Sequence, residues 1–94
     1  MYDLEIKPEA DKIFAKLAKK NQKQLQIINN KVKKIRETPV GYKFLRAPLS
    51  GFNRVHIDNS FVLIFKVDHQ RHVIELWYYG HHDVVYQWQP TAEE

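Results

Sequence analysis

The 94-residue chain contains no cysteine, which excludes disulfides, thiolate nucleophiles and thiolate zinc sites. It has two serines, Ser50 and Ser60, and neither stands in the elbow motif that marks a serine nucleophile. No HExxH or comparable ligand pattern is present, so no metal and no cofactor is expected. No hydrophobic run approaches the roughly 20 residues of a spanning helix. The opening MYDLEIKPEA lacks the basic-then-apolar profile of a signal peptide, so a cytoplasmic protein without a membrane partner is expected. Acids are scarce over one long stretch. Residues 7–46 carry twelve Lys or Arg against three Asp or Glu, whereas residues 47–94 carry three against six. The formal net charge of +4 therefore hides a segregated basic region, suited to a polyanion or an acidic protein partner. For any single lysine, solvation of a helix face is the simpler account.

What is present reads as one small domain over residues 1–94, with 89–94 a flexible tail. Tyr2, Leu4 and Ile6 alternate with Asp3, Glu5 and Lys7, the period-two pattern of a half-buried strand. Pro8 suits a first helical turn. Ala10, Ile13, Phe14, Leu17 and Ala18 then form one helical stripe, with lysines opposite. Asn21 is placed to cap a restarted helix, whose stripe is Leu25, Ile28, Val32 and Ile35, ending before Pro39. FNRVHID, FVLIFKV and HVIELWYY follow as three strands with turns at Asp58-Asn59-Ser60 and Asp68–Arg71. The order is β-α-α-β-β-β: an α+β domain, a mainly antiparallel sheet with a helical hairpin on one face. The other face is expected to stay open. A two-residue turn at Asn59-Ser60 would pair Ile57 with Val62, and a slip of one residue reverses the buried face.

Alternation puts Arg54 and His56 on the open side, with Val55 and Ile57 toward the helices. Near the end of the chain stands YYGHHDVVY, residues 78–86, with five rings, one acid and one glycine. Adjacent histidines on a regular strand point to opposite faces, which argues against a shared metal ion. Metal-free RNA cleavage fits better. It needs a base for the 2′-hydroxyl proton, an acid for the departing 5′-oxygen, and cations to hold charge on the phosphorane. His56, His82 and Tyr86 are candidates for proton transfer, imidazole in general titrating near ~6.5. Lys43, Arg46 and Arg54 are candidates for holding phosphate, and Tyr78, Tyr79, Tyr86 or Trp88 for stacking an unpaired base. The plainer account makes Trp77, Tyr78 and Tyr79 sheet packing and His56 a hydrogen-bonded strand residue.

YDLEIKPEADKIFAKLAKKN, YKFLRAPLSG, RVHIDNSFVLIFKVD and YYGHHDVVY, in that order, together resemble the RelE-type toxins of the RelE/ParE superfamily, with YafQ-like features. The resemblance runs from about Tyr2 to Tyr86. It implies the same α+β fold and a metal-independent messenger-RNA endonuclease acting in the ribosomal A site. It also implies a RelB-like antitoxin as partner in a hetero-oligomer. His56, His82 and Tyr86 match family positions for catalysis; Arg46 and Arg54 match more loosely, and His81 has no firm counterpart. The expected catalytic set is thus His56, His82, Tyr86, Arg54 and Arg46, and the expected RNA-binding set Lys43, Arg46, Arg54, Tyr79 and His81. The chain departs from the family at Val62 (arginine in many members), Ala47 (histidine in YafQ-like members) and Ser60 (aspartate). The alternative is a ParE-like or degenerate toxin that binds a protein target and cuts nothing.

Overall fold

The computed structural model describes residues 1–90; of the tail expected at residues 89–94, residues 91–94 lie outside them. Five strands and two helices follow one another. They are β1 (Asp3–Ile6), α1 (Pro8–Lys20), α2 (Gln22–Glu37), β2 (Lys43–Phe44), β3 (Asn53–His56), β4 (Phe61–Asp68) and β5 (Val73–His81), with a closing 3₁₀ turn (Val85–Gln87). The expected order holds with one addition, the two-residue β2 inside the long connection. The sheet runs β1-β5-β4-β3-β2, with β1 parallel to β5 and every other pairing antiparallel.

Each helix forms where its stripe predicts. Pro8 occupies the first turn of α1, where its missing N–H has no intrahelical partner. The Asn21 side chain accepts a hydrogen bond from the Gln24 N–H at 3.1 Å, which stops one helix and starts the next. Ala10, Phe14, Ile28, Val32 and Ile35 from the helices pack on Ile57, Leu63, Phe65, Ile74, Leu76 and Tyr79 of the sheet side. Burial of each large apolar side chain contributes roughly 1.5–3 kcal/mol.

Leu4 and Ile6 keep the inward phase, opposite Ile74 and Leu76. As residues of an edge strand they nonetheless remain 37% and 40% exposed.

The second face is not open, which corrects the sequence expectation. Leu49, Phe52, Val62, Ile64, Trp77, Val85 and Trp88 build a second buried cluster on it. Phe52 meets Trp77 and Trp88 edge-on at 5.1 and 5.7 Å, and Tyr78 stacks on Trp88 at 5.2 Å, geometries that favour aromatic pairs. Trp88 also donates its indole N–H to Glu9 at 2.8 Å, tying the end of the chain to α1. These partners converge only when the 3₁₀ turn folds back, so no local pattern announces them.

Two register details place the functional side chains. A β-bulge makes Trp77 an extra residue, since Ile64 pairs with Tyr78 and Phe65 with Leu76. Such a bulge turns two successive side chains to one face, here Trp77 and Tyr78 toward the second cluster. The β3–β4 connection has three residues, because His56 pairs with Val62 and the Ile57 N–H bonds the Phe61 carbonyl. The expected Ile57–Val62 pairing is therefore off by one. Asp58 accounts for the difference: its carboxylate accepts the Ser60 and Phe61 N–H groups at 2.7 and 3.1 Å and closes the longer turn.

Candidate functional site

Arg54 and His56 do lie on the face away from the helices, because Arg54 pairs with Ile64 and His56 with Val62, both members of the second cluster. Lys43 sits directly across from Arg54 on β2 and so shares its face. Lys43, Arg54 and His56 line one side of a groove of about 250 Å³ with Gly41, Tyr42 and Val55. Above them the 3₁₀ turn delivers Tyr86. Its neighbour Val85 is fully buried as an anchor, while Tyr86 itself stays 42% exposed. Arg54 Nη1 donates to the Tyr86 hydroxyl at 3.1 Å, and its guanidinium lies 5.9 Å from the ring centroid, within cation–π range. Among the described residues, His56 has no hydrogen-bonded or ionic partner, so its ring nitrogens are available.

Beyond His56 come Val62, which is fully buried, and Gly80; the two pair with each other. Gly80 contributes no side chain, and a Cβ there would meet the Tyr78 ring at 3.2 Å. His56 and Gly80 are two strand spacings apart, roughly 10 Å.

At that end lie His81, His82 and Asp83. The His82 N–H bonds the Ser60 carbonyl at 2.9 Å, after which the chain leaves the sheet. Asp83 donates its N–H to His81 Nδ1 at 3.2 Å, and the two imidazoles stack with centroids 4.4 Å apart. Opposite orientation was expected of adjacent strand histidines; it fails because the strand ends at His81. The Asp83 carboxylate faces both rings, 3.0 Å from His82 Nδ1 and 3.4 Å from His81 Nδ1. His81 also rests edge-on against Phe61 at 5.5 Å.

Two expected residues fall elsewhere. Tyr79 is 5% exposed and faces the helices, where its hydroxyl accepts a 2.6 Å hydrogen bond from the Gln24 side chain. The bulge at Trp77 set that orientation, so Tyr79 stacks on no RNA base. Arg46 is exposed but lies past the Leu45–Phe52 hydrogen bond, at the opposite end of β3 from His56. It does not join the Arg54–Tyr86 pair.

Gln24 went unnoticed in the sequence. It is 8% exposed and its amide also reaches Asp58 at 3.3 Å, so it pins the β3–β4 turn to α2. A polar residue four before Ile28, in the apolar stripe, was the available sign. The Ser60 N–H first of all, with Gln24 and the Phe61 N–H, holds the Asp58 carboxyl below its ordinary range. Burial pushes the Tyr79 phenol up.

The arrangement offers two cations for a phosphate and three exposed groups able to exchange protons, along an open strip. No helix among the described residues is long and apolar enough to cross a membrane.

No established family profile matches the chain. Individual proteins do. A candidate toxin of Methanocaldococcus jannaschii, named RelE4, is 46% identical over 87 residues, 93% of this chain and 93% of its own length. An uncharacterized protein of Methanosarcina mazei is 50% identical over 86 residues, 92% of this chain and all of that one. Among solved structures, a YoeB/ParE toxin from Agrobacterium tumefaciens superposes with a TM-score of 0.76 at 14% identity, over 85% of this chain and 98% of that one. A chain of the Mycobacterium tuberculosis toxin–antitoxin complex RelBE2 gives 0.72 at 17% identity, over 85% and 96%. Escherichia coli YafQ gives 0.72 at 17%, over 92% and 99%. At such identities the structural likeness speaks for the fold.

Proposed function

The chain belongs to the RelE/ParE toxin superfamily, and on that premise we propose that it is the toxin of a type II toxin–antitoxin pair that cleaves messenger RNA in the ribosomal A site. Attack is by the substrate's own 2′-hydroxyl, without a cofactor. The observation that carries this reading is the Arg54–Tyr86 hydrogen bond on the exposed strip, with Lys43 across from Arg54 and His56 two residues along.

Arg54 and Lys43 hold the scissile phosphate and the charge that builds on the phosphorane, the role of cations aimed at developing negative charge. His56, His82 and Tyr86 share the two proton transfers, from the 2′-hydroxyl and to the leaving 5′-oxygen. Arg46 and the exposed helix lysines serve contacts to RNA away from the scissile bond. A RelB-like antitoxin is the proposed partner, supported by the toxin–antitoxin complex among the structural relatives.

The test uses His82→Ala and Tyr86→Ala on translating ribosomes. Cleavage falls about 10²–10⁴-fold, the usual cost of a lost general acid or base, with the folded state unchanged. Wild-type cleavage in both variants would remove the assignment.

A second reading has one observation in its favour. Val62 is fully buried at the position where the resemblance places an arginine. A toxin lacking that cation acts by binding a protein target, and its induction stops growth with messenger RNA intact.

A further inference from the structure

We propose that His81, His82 and Asp83 form a binding site for one divalent transition-metal ion of the zinc, nickel or copper class. Among the described residues this is the one group of three such side chains whose candidate ligand atoms converge, all lying within 4.8 Å of one another. The separations suit the chemistry. Metal–ligand bonds of roughly 2.0–2.1 Å at tetrahedral angles put neighbouring donors about 3.3 Å apart. His82 Nδ1 and His81 Nδ1 lie 3.0 and 3.4 Å from the Asp83 carboxylate oxygens.

The hydrogen bonding is also unfinished in a way that a cation completes. Asp83 donates its N–H to His81 Nδ1, which requires a lone pair on that nitrogen. The same nitrogen faces the Asp83 Oδ2 lone pairs at 3.4 Å, an acceptor against an acceptor. A positive ion between the imidazoles and the carboxylate satisfies all three. To bind through Nδ1, His81 gives up a single long hydrogen bond of 3.2 Å.

Access is open. The side chains are 42%, 46% and 70% exposed for His81, His82 and Asp83, so the ion enters from solvent and water fills the fourth position. Two imidazoles and one carboxylate favour zinc, nickel or copper over magnesium or calcium, which take all-oxygen sets. The other histidine pair lacks this arrangement: His69 Nδ1 is engaged by the Tyr2 hydroxyl at 2.8 Å, and His72 packs on the Tyr2 ring at 5.0 Å.

An ion held here takes His82 out of proton transfer, so occupancy switches cleavage off. That consequence alone rests on the nuclease reading; the binding does not.

The experiment is a calorimetric titration of tag-free, chelator-treated protein with zinc chloride. Copper(II) electron paramagnetic resonance then counts the coordinating nitrogens. One equivalent binds, two imidazole nitrogens are seen, and His81→Ala, His82→Ala and Asp83→Asn each weaken zinc at least tenfold with unchanged melting temperature. His69→Ala combined with His72→Ala leaves binding as it was. No saturable zinc binding overturns the site, as does binding that survives His82→Ala or disappears in the His69/His72 variant. Zinc that binds as expected but leaves ribosomal cleavage untouched upholds the site and overturns the proton-transfer role of His82.

Discussion

The two faces of the sheet are built on different plans. Toward the helices the core is mainly aliphatic and closed, and one polar thread runs through it: Gln24 donates to both Tyr79 and Asp58. Away from the helices the core is aromatic, and cations lie on its rings. Lys66 sits 4.6 Å from the Phe52 centroid, and Lys7 5.0 Å from that of Trp77. This second cluster stops short, and beyond it Arg54, His56 and Tyr86 stand free of apolar cover, while His81 rests on Phe61 of the helix side. One face supplies cohesion; the other trades cover for a strip of reactive groups. The charge follows the same division, with most helix lysines exposed on the hairpin's outer side, opposite the strip, which makes Lys43 and Arg54 the cations that count there.

Substitutions can break this contrast, beginning with the largest effect. Phe65→Ala in the helix-side core destabilises by about 3–5 kcal/mol, measured by urea unfolding; a loss below ~1 kcal/mol would erase the distinction between the faces. Arg54→Ala does the reverse. Stability stays within ~0.5 kcal/mol, while cleavage on ribosomes drops about 10²–10³-fold, as for removal of one preorganised donor. Gln24→Leu leaves the buried Tyr79 hydroxyl without its donor and costs about 1–3 kcal/mol in the same unfolding assay. The smallest effect is a pH dependence. Asp58 has a depressed carboxyl in the fold, so its contribution is present above the ordinary carboxylate range near ~3.9 and fades as pH falls through the lower folded value. Asp58→Asn flattens that acid limb in thermal melts followed from pH 5 downward.

Much of the helix-side architecture was readable from periodicity, because stripes at 3.6 and alternation at 2 record which face is buried. Ile28, Val32 and Ile35 needed no tertiary information; Leu63 and Phe65 did, because the continuous run FVLIF carries no alternation. The outer face was less legible. Phe52, Val85 and Trp88 become a cluster only after the last turn closes, and a two-residue strand such as β2 carries no period at all. Arg54 and His56 were placed on the right face from Val55 and Ile57 alone. Tyr79 was misplaced because a single extra residue in a run of apolar side chains leaves no mark on hydropathy. The convergence of His81 and His82 was hidden for a related reason: strand geometry was extended one residue past where the strand ends.

That extra residue, Trp77, acts as a change of parity. Were it instead paired in register as an ordinary strand residue, every side chain after it would swap sides: Tyr78 would turn indoors, Tyr79 would lose its amide companion, and the glycine gap would open beneath the helices. A strand that begins as plain scaffolding can thus finish as a polar head, with the two halves free to diverge because one inserted position decouples them.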